Sequence, residues 1–571
     1  MGPTTAGTDS SHSAAPLRSP QFWLFRILPL RLVIPVALIA VVASLVAVAF
    51  GAMAAVAAGI AALILAVGLI PVRGRSVAAA LDEEITFRWN AFRNRSTATN
   101  QAPFDVPLPE GGTYGMRWDG AHLLTMLRIE AQPRTVTLLS PRSLISDDMM
   151  PLPEIARCLD QFDIELASID VISTGARTAG AGPVARLYEQ VLGPLPAVAH
   201  RTVWVVLRLD PLANAAAVNR RGGGATGTLR SAIVATRRVA NRLAARGLSA
   251  AVLSAAEMTA AVHHLTRNIP LDQITETPRS LVHNEIHSTL YRMAPEALGP
   301  AGIAAVWSTS TLGTTVTVRM QRATGPKAQA GDAGIEVTAL ARFDTWGQPV
   351  QVTAAGLLPL PGRQLRALMY TLPIAAQGQQ FAPESYLGEP DSLTDLPMPI
   401  AGCGQLIGAD ASGQGVALPL VGQHVRRVEI IGSLLVAQQV ILRAIALGAS
   451  VVVHTNRHDA WRAMVADVGA PQSLTLASWS AGSQQANAHR FASVVVYDGI
   501  PPTGHHSDVT IVLLRSAPVP HDNFEPDVVL TEDPHTPNLV TVRTDSGTKT
   551  VRMVATPSEL SYLHVHRAAR V

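Results

Sequence analysis

An uninterrupted apolar stretch near the N-terminus is the strongest constraint on this chain. Residues Leu32 to Val72 include no charged side chain, a run of 41 positions. One helical crossing of a bilayer needs about 20 apolar residues. The length therefore predicts two spans, at about Leu32–Phe50 and Met53–Val72, with a turn near Gly51. The second span is rich in small residues, which let helices approach closely in lipid: Ala54, Ala55, Ala58, Gly59 and Ala62.

Basic residues flank this stretch on both sides and predict its orientation. They are Arg18, Arg26 and Arg31 before it, and Arg73, Arg75, Arg88, Arg93 and Arg95 after it. The positive-inside rule then puts both flanks in the cytoplasm, so we expect a membrane protein with two spans and cytoplasmic termini. A cleaved signal peptide fits less well, because its apolar region is far shorter. Phe22, Trp23 and Phe25 suit a membrane interface, although a disordered tail is the alternative.

No later apolar run in the sequence is long enough to span a membrane, so we expect the rest of the chain to form one cytosolic body. The net charge is +3 and the sequence pI about 9.1, yet among 45 basic residues only Lys327 and Lys549 are lysines. This bias toward arginine means that the pI alone does not indicate nucleic-acid binding. The two cysteines, Cys158 and Cys403, exclude a disulfide framework and a cysteine-based zinc cluster.

The composition divides the chain into five segments. These are a cytoplasmic N-terminal tail (1–31), a transmembrane hairpin of two helices (32–75), a juxtamembrane helix (76–100), a first cytosolic α/β domain (101–388) and a second cytosolic α/β domain (389–571), which begins at a proline-rich linker, Pro390 to Pro399. The juxtamembrane segment has Leu81, Ile85, Trp89 and Phe92 at helical spacing. The fold class is therefore an α/β cytosolic body with mixed sheets on a membrane hairpin.

In the first domain, strands and helices alternate, which favours a parallel or mixed sheet. The pattern predicts helices at Leu152–Phe162 and Thr228–Arg246 and strands at Ile164–Ser173 and Thr202–Leu209. A β-hairpin is predicted from Thr311–Arg319 and Ile335–Phe343, with a polar loop between them.

The second domain contains a predicted βαβ unit. Its parts are a strand at Val428–Ile431, Ser433 as N-cap, a helix at Leu434–Leu447, Gly448 as the stop and a strand at Val451–His454. Five more strands are predicted, at Ser493–Tyr497, Val509–Leu514, Asp527–Leu530, Leu539–Val542 and Lys549–Val554.

Candidate chemical sites in the sequence are weak. The turn at Gly432 has a single glycine where a dinucleotide site needs three, so a structural βαβ unit is favoured. The Gly222–Gly224 run lacks the lysine of a phosphate-binding loop, and a flexible loop is favoured over anion binding. Other clusters lack fixed ligand or acid–base geometry: His505, His506 and Asp508; His564 and His566; Asp160, Asp163, Glu165 and Asp170. We therefore expect no catalytic residues, no cofactor and no metal, and hence no enzyme.

One arginine-rich helix is a candidate interaction face. No acidic residue occurs between Pro211 and Ala256, so its arginines have no acidic partner nearby in sequence. A solvated helix face is the common explanation, but the pattern raises the case for an acidic protein partner or lipid headgroups. Nucleic acid is not expected, because aromatic residues do not interleave with the arginines. The residues of the candidate face are Arg220, Arg221, Arg230, Arg237, Arg238 and Arg242.

Several segments together resemble one family. Tyr114–Gly120, Leu152–Asp163, Leu207–Leu212 and Thr236–Leu243 are similar to EccE, a membrane component of mycobacterial type VII (ESX) secretion systems. The resemblance implies a non-catalytic structural subunit that braces the secretion complex from its periphery. The partners it implies are EccB, EccC and EccD homologues, further copies of the complex and membrane lipids. It carries over no individual contact residue.

Two other functions remain open at this point. One is a membrane-anchored α/β enzyme acting on a nucleotide-sugar or lipid substrate near Gly432 and His454. The other is a lipid-surface or signalling adaptor that uses the face from Arg230 to Arg242.

Overall fold

The computed structural model describes most of the cytosolic body and the apolar helices. The described residues are 16–20, 30–70, 76–78, 81–82, 84–85, 87–88, 101–132, 135–180, 182–324, 334–352, 354–374, 381, 383–477, 492–502, 508–518 and 524–563. Several sequence predictions fall outside them: the aromatic residues Phe22, Trp23 and Phe25, the ends of the juxtamembrane helix at Trp89 and Phe92, and the histidines His505, His506, His564 and His566.

Within the described residues, twelve α-helices have both ends defined. They are α1 Leu30–Ala49, α2 Ala54–Leu69, α3 Leu152–Ala156, α4 Pro183–Leu192, α5 Ala215–Arg220, α6 Gly224–Ala244, α7 Ala255–Leu265, α8 Pro300–Ser308, α9 Gln364–Thr371, α10 Leu434–Ala446, α11 His458–Val468 and α12 Pro557–Tyr562. Described residues between Val77 and Arg88 are also helical, as predicted for the juxtamembrane segment.

The strands form two sheets. In chain order they are β1 Phe104–Pro107, β2 Thr113–Trp118, β3 Leu123–Glu130, β4 Thr137–Ser140, β5 Ser143–Ile145, β6 Asp160–Gln161, β7 Ile164–Ala176, β8 His200–Leu209, β9 Ser249–Val252, β10 Thr275–Glu276, β11 Leu281–His283, β12 Ile286–Met293, β13 Gly313–Arg322, β14 Ile335–Trp346, β15 Leu357–Pro359, β16 Tyr386–Gly388, β17 Gln405–Ala409, β18 Gly415–Leu418, β19 Arg427–Ile431, β20 Val451–Thr455, β21 Leu474–Leu476, β22 Val494–Asp498, β23 Thr510–Arg515, β24 Val528–Glu532, β25 Leu539–Thr544 and β26 Gly547–Arg552.

The apolar stretch forms two packed helices, as predicted. A turn at Phe50–Met53 joins α1 to α2, and Gly51 has φ +85°. The helices touch where Gly68 faces Val36, since a Cβ on Gly68 would lie 2.7 Å from a Val36 methyl carbon. At 1.5 Å per residue, the 20 residues of α1 span about 30 Å. Among the described helices, only α1 is long and apolar enough to cross a bilayer by itself. Helix α2, at 16 residues, is shorter than the predicted second span.

The first sheet has 14 strands and is antiparallel in every pair. Its order is β1-β2-β3-β8-β7-β13-β14-β12-β11-β10, with β6, β9, β15 and β16 added beside this path. The parallel or mixed sheet predicted for the first domain is therefore wrong. The helix after β7 is an excursion rather than a crossover, because Ala176 at the end of β7 pairs with His200 at the start of β8. The predicted β13–β14 hairpin is confirmed.

The second sheet has 12 strands and is mixed, as predicted. Its order is β21-β20-β22-β23-β19-β24-β25-β26-β17-β18-β4-β5. Along this order, the five pairs from β21–β20 to β19–β24 are parallel. The pairs from β24–β25 onward are antiparallel. The βαβ unit is confirmed in its elements, but β22 and β23 lie between its two strands. The hairpin β4–β5, which precedes most of the first sheet in sequence, completes the edge of this second sheet.

The α4 excursion connects the two sheets. Tyr188 on α4 is buried in the core of the second sheet, where its hydroxyl accepts a hydrogen bond from the Leu406 backbone at 2.7 Å. The backbone N–H of Ala179 also donates to the carbonyl of Ala446 on α10, at 2.9 Å. In addition, the segment predicted as a proline-rich linker packs into the hydrophobic core of the first sheet through Leu393 and Leu396. The two sheets are thus joined by buried contacts.

A short piece of the N-terminal tail is paired with the body. Arg18 forms an antiparallel β-bridge with Leu387 on β16, with N–H to O distances of 2.7 and 2.8 Å. Leu17 packs against the hydrophobic core of the first sheet, and the Ser19 hydroxyl donates to the Glu384 carboxylate at 3.2 Å. We call residues Leu17 to Ser19 the strap. The strap ties the chain that precedes α1 to the body that follows α2.

Candidate interaction face

The arginine-rich helix α6 is set on the first sheet by an ordered glycine turn. Gly222, Gly223 and Gly224 all have positive φ, at +110°, +67° and +51°, and they reverse the chain between α5 and α6. Gly227 then allows the two helices to touch, because a Cβ there would lie 2.1 Å from the carbonyl oxygen of Val218. The Gly222–Gly224 run is therefore a defined turn and not the flexible loop that the sequence suggested.

The buried side of α6 is polar in its middle. Thr236 is fully buried, and its hydroxyl lies 2.7 Å from that of Thr125 on β3. The buried row includes Ala232, Val239 and Leu243, while Leu229 and Ile233 are half-buried at its border. The arginines therefore line the edge of this buried row and lie close to the body.

Distant acidic residues neutralise most of the predicted face. Asp163, in the turn between β6 and β7, accepts from Arg221 at 2.7 Å and from Arg220 at 3.2 Å. Arg238 approaches the same carboxylate at 3.4 Å and donates to the carbonyl of Gln161 at 2.7 Å. Hydrogen bonding from Arg221, with the charge of that guanidinium, holds the pKa of Asp163 well below its usual range.

A second acidic centre binds the far end of the helix. Glu154 on α3 accepts from Arg242 Nε at 2.8 Å and also pairs with Arg157 and Arg246. Hydrogen bonding from Arg242 lowers the pKa of Glu154. Arg237 pairs with Glu110 at 3.4 Å. The structure therefore brings all six predicted residues to one region, and five of them have acidic partners 57 to 127 residues away in sequence.

Arg230 is the exception. It is exposed, its guanidinium donates to the carbonyl of Arg221 at 3.2 Å, and it has no ion pair within the described part of the chain. Arg220 also stays largely open to solvent despite its bond to Asp163. The positive charge that remains available for a partner is concentrated at this end of α6.

An aromatic residue that the sequence pattern did not mark as functional lies at the same place. The predicted helix Leu152–Phe162 ends at Ala156, continues as one 3₁₀ turn, and is followed by the β6–β7 turn. Phe162 occupies that turn with φ +56° and is fully exposed, at 102%. The Arg238 guanidinium lies 5.3 Å from its ring centroid. The only sequence signal was an aromatic residue set among turn-forming aspartates, Asp160 and Asp163.

The acidic cluster singled out in the sequence is dispersed into separate ion pairs. Asp170 is fully buried between Arg208 and Arg319, whose charges overcome burial and keep its pKa low. Asp160 and Glu165 both pair with Arg322. Each carboxylate is thus held by a guanidinium, and no two of them share a proton site. No group of three or more metal-ligating side chains is found among the described residues.

The nucleotide-like turn of the second sheet is filled by the protein's own carboxylate. Glu532, at the end of β24, accepts from the backbone N–H of Ser433 at 2.7 Å, and a Cβ on Gly432 would lie 2.8 Å from its Oε2. This is the position where a phosphate would meet a helix N-terminus. His454 is three strand spacings from Gly432 in the sheet, about 14 Å. The two residues considered for an enzyme site therefore do not converge.

Two packed apolar helices followed by a two-sheet body with internal ion pairs are typical of a membrane-anchored protein. Sequence comparison shows which family this chain resembles. The family model of the EccE component of the type VII ESX secretion system translocon matches residues 197–293. This match confirms the resemblance to the EccE family that the sequence segments indicated.

The individual relatives agree with this assignment. The chain is 33% identical over 158 residues to the ESX-1 secretion system protein EccE1 of Mycolicibacterium smegmatis, covering 27% of this chain and 33% of that protein. It is 28% identical over 156 residues to the EccE1 protein of Mycobacterium tuberculosis, covering 27% and 34%. It is 23% identical over 346 residues to the ESX-5 protein EccE5 of Mycobacterium marinum, covering 58% and 82%. The alignments with the two EccE1 proteins span about a third of their length.

Proposed function

We propose that this chain is a structural, non-catalytic subunit of an inner-membrane ESX secretion complex, bracing the complex from its periphery and supporting protein export. Its partners are EccB, EccC and EccD homologues and further copies of the complex. The proposal includes two spans with both termini cytoplasmic, lipid contacts at the spans, and the division into segments 1–31, 32–75, 76–100, 101–388 and 389–571.

The pairing of the strap with the body is the observation that supports the proposed topology. Arg18 and Leu387 exchange two backbone hydrogen bonds, yet Arg18 precedes α1 and Leu387 follows α2. Residues that pair in this way are on one side of the membrane, so the apolar helices between them cross it an even number of times. A single span through α1 would separate the strap from β16. We infer that α2, despite its shorter helix, returns the chain to the side from which α1 started.

The ion-pair networks support a structural role. The face of α6 is tied to the β6–β7 turn and to α3 by Asp163 and Glu154, which fixes its shape before any partner binds. The carboxylate of Glu532 fills the helix terminus that a nucleotide would use. A rigid scaffold of this kind suits a subunit that holds other subunits in place.

Cysteine labelling tests the topology. Burial raises the pKa of Cys158 and of Cys403 to about 11, so both native thiols give little background. In intact cells, a membrane-impermeant maleimide should label Phe50→Cys at the turn but neither Ser10→Cys nor Ser546→Cys. After permeabilisation all three should react. Labelling of Ser546→Cys in intact cells would show that the body is outside and would contradict the proposal.

Purification tests the assembly. The tagged chain is extracted from native membranes in mild detergent, and proteins that co-purify at high molecular mass are identified by mass spectrometry. The proposal expects EccB, EccC and EccD homologues in one particle. If the chain elutes without them under conditions that preserve a known ESX particle, the structural role in that complex is wrong.

A further inference from the structure

We infer that Phe162 is the apolar anchor of a docking site for another protein subunit, whose surface offers an apolar pocket bordered by carboxylates. This inference rests on the proposed function and assigns a contact surface to it. We call the site, formed by Phe162, Leu212, Arg220, Arg230 and Arg238, the Phe162 tip.

The backbone at Phe162 is held in a conformation that its side chain disfavours. A φ of +56° is uncommon for residues other than glycine, asparagine and aspartate, and for a bulky residue it is an outlier. Such outliers persist where the surroundings over-determine them, and they concentrate at functional sites. Here the ring gains no burial in return, because it is completely exposed. Folding of this chain alone therefore gives no reason for an aromatic residue at this turn.

Hydrogen bonds on both sides make the turn rigid. Arg238 donates to the Gln161 carbonyl before Phe162, and Arg221 binds the Asp163 carboxylate after it. The Asn214 side chain then bonds both the N–H and the carbonyl of Glu165, each at 2.7 Å. An anchor presented in a fixed geometry loses little conformational entropy on binding.

A second apolar side chain extends the tip. Leu212 is 87% exposed, and its loop leads directly to Asn214, which binds the start of β7. Phe162 and Leu212 thus lie on two loops that are hydrogen-bonded to each other at the same end of the sheet. The opposite end of β7 faces the second sheet, as shown by the bond from Ala179 to Ala446. The 13 residues of β7 span about 43 Å, so the tip lies far from the contact between the two sheets.

The charges around the tip identify the kind of partner. Arg220 and Arg230 are exposed beside it, and Arg238 lies over the ring. Aromatic and arginine side chains together are typical of the energetic centre of protein interfaces, and arginines favour carboxylate partners. Asp160, Asp163, Asp210 and Glu165 are also at this end, so the partner's carboxylates have to lie opposite Arg220 and Arg230. An anionic membrane fits less well, because its continuous negative surface would also face these acidic residues.

Site-specific photocrosslinking tests the inference in the full chain. Phe162 is replaced by p-benzoylphenylalanine, the tagged protein is irradiated in native membranes, and the crosslinked peptide is identified by mass spectrometry. We expect one main crosslink, to a different protein of the purified particle, at a segment containing Asp or Glu. A crosslink to lipid, to a second copy of this chain, or to nothing would overturn the inference.

The outcomes distinguish this inference from the proposed function. If the wild-type chain yields no particle with other secretion components, the proposed function fails. If the particle forms and residue 162 does not crosslink to another subunit, only the assignment of the Phe162 tip fails.

A substitution with opposite effects on stability and assembly gives a second test. Asparagine adopts positive φ more readily than phenylalanine, so Phe162→Asn should raise the thermal unfolding temperature of the chain. The affinity of the same variant for the particle should fall about thirtyfold, as expected when a buried aromatic anchor is removed.

Two further variants serve as controls for this test. Phe162→Tyr should preserve assembly. Trp346→Asn, which changes an aromatic residue 58% exposed at the end of β14, is the matched control and should leave assembly unchanged. Unaltered assembly in Phe162→Asn would refute the anchor.

Discussion

The Glu532 carboxylate accepts a hydrogen bond from the Ser433 backbone N–H at 2.7 Å, at the N-terminus of α10. The two residues are 99 apart in sequence and are brought together because β24 lies beside β19 in the second sheet. A negative charge at this position stabilises the helix through its dipole and satisfies an otherwise unpaired amide.

Removal of this carboxylate should therefore destabilise the second sheet without any change in chemistry. We expect Glu532→Ala to cost about 1–2 kcal/mol, the range for loss of a helix cap. Glu532→Gln, which keeps the acceptor oxygen but not the charge, should cost less. The measurement is the urea midpoint of the detergent-solubilised chain. ATP should not change the wild-type midpoint, and a clear stabilisation by ATP would contradict the view that Glu532 occupies the anion position.

A buried ion pair holds the end of the described chain to the second core. Arg443 on α10 and Glu559 on α12 lie 2.7 Å apart with both side chains fully buried, and Arg443 also donates to the carbonyls of Leu406 and Ile407. Removing one partner leaves an uncompensated buried charge, which typically costs about 3–5 kcal/mol.

A double-mutant cycle should expose this coupling. Glu559→Leu and Arg443→Met should each lower the urea midpoint strongly, whereas the double variant with both substitutions should recover much of the loss. Arg462→Met is a suitable control, because its pair with Asp459 is exposed. Additive effects of the two buried substitutions would mean that the pair is not a coupled unit.

The Asp163 network should make stability depend on acidity. Arg221, through its hydrogen bond and charge, lowers the pKa of Asp163, so the network stabilises the folded chain above the unfolded-state pKa of about 3.9. This contribution is lost as the pH falls through the folded-state pKa. The Asp163→Asn variant lacks this stabilising contribution at every pH.

The check is the difference in urea midpoint between wild type and Asp163→Asn at pH 7, 5 and 3. The wild type should be more stable by the same amount at pH 7 and 5, and the gap should narrow at pH 3. Asp533→Asn gives a control, since Asp533 caps a local turn in the second sheet and makes no described contact with α6. A gap that is constant down to pH 3 would exclude Asp163 as the titrating group.

Local features of the fold could be predicted from the sequence, and distant pairings could not. Ser433 caps α10 as expected, with its hydroxyl 3.4 Å from the N–H of Val436, because capping is decided within one helical turn. The strand and helix positions of the second sheet follow from periodicity in the same way. The order of strands depends on contacts between distant segments, so the insertion of β22 and β23 between β19 and β20 was missed.

The same distinction explains the candidate face. The absence of acids near the arginines of α6 is a true property of the sequence, but Asp163 and Glu154 reach them through tertiary structure. Phe162 was assigned to a helix because Leu152 to Leu159 is apolar at helical spacing. The turn that ends this segment is stabilised by Arg238 and Asn214, which the local pattern does not include.

Two glycines of α2 should respond in opposite ways to the same substitution. A Cβ on Gly68 would meet Val36 of α1 at 2.7 Å, whereas a Cβ on Gly59 would meet nothing within 4 Å. Gly68→Leu should therefore separate the two helices and destabilise the isolated chain in detergent. Gly59→Leu should leave the isolated chain unchanged. If the exposed small-residue face of α2 packs on a neighbouring helix in the complex, Gly59→Leu should lower the yield of the high-mass particle. The two readouts are the thermal unfolding temperature of the purified chain and the amount of particle per cell. A normal particle yield for Gly59→Leu would contradict packing of this face on a neighbouring helix.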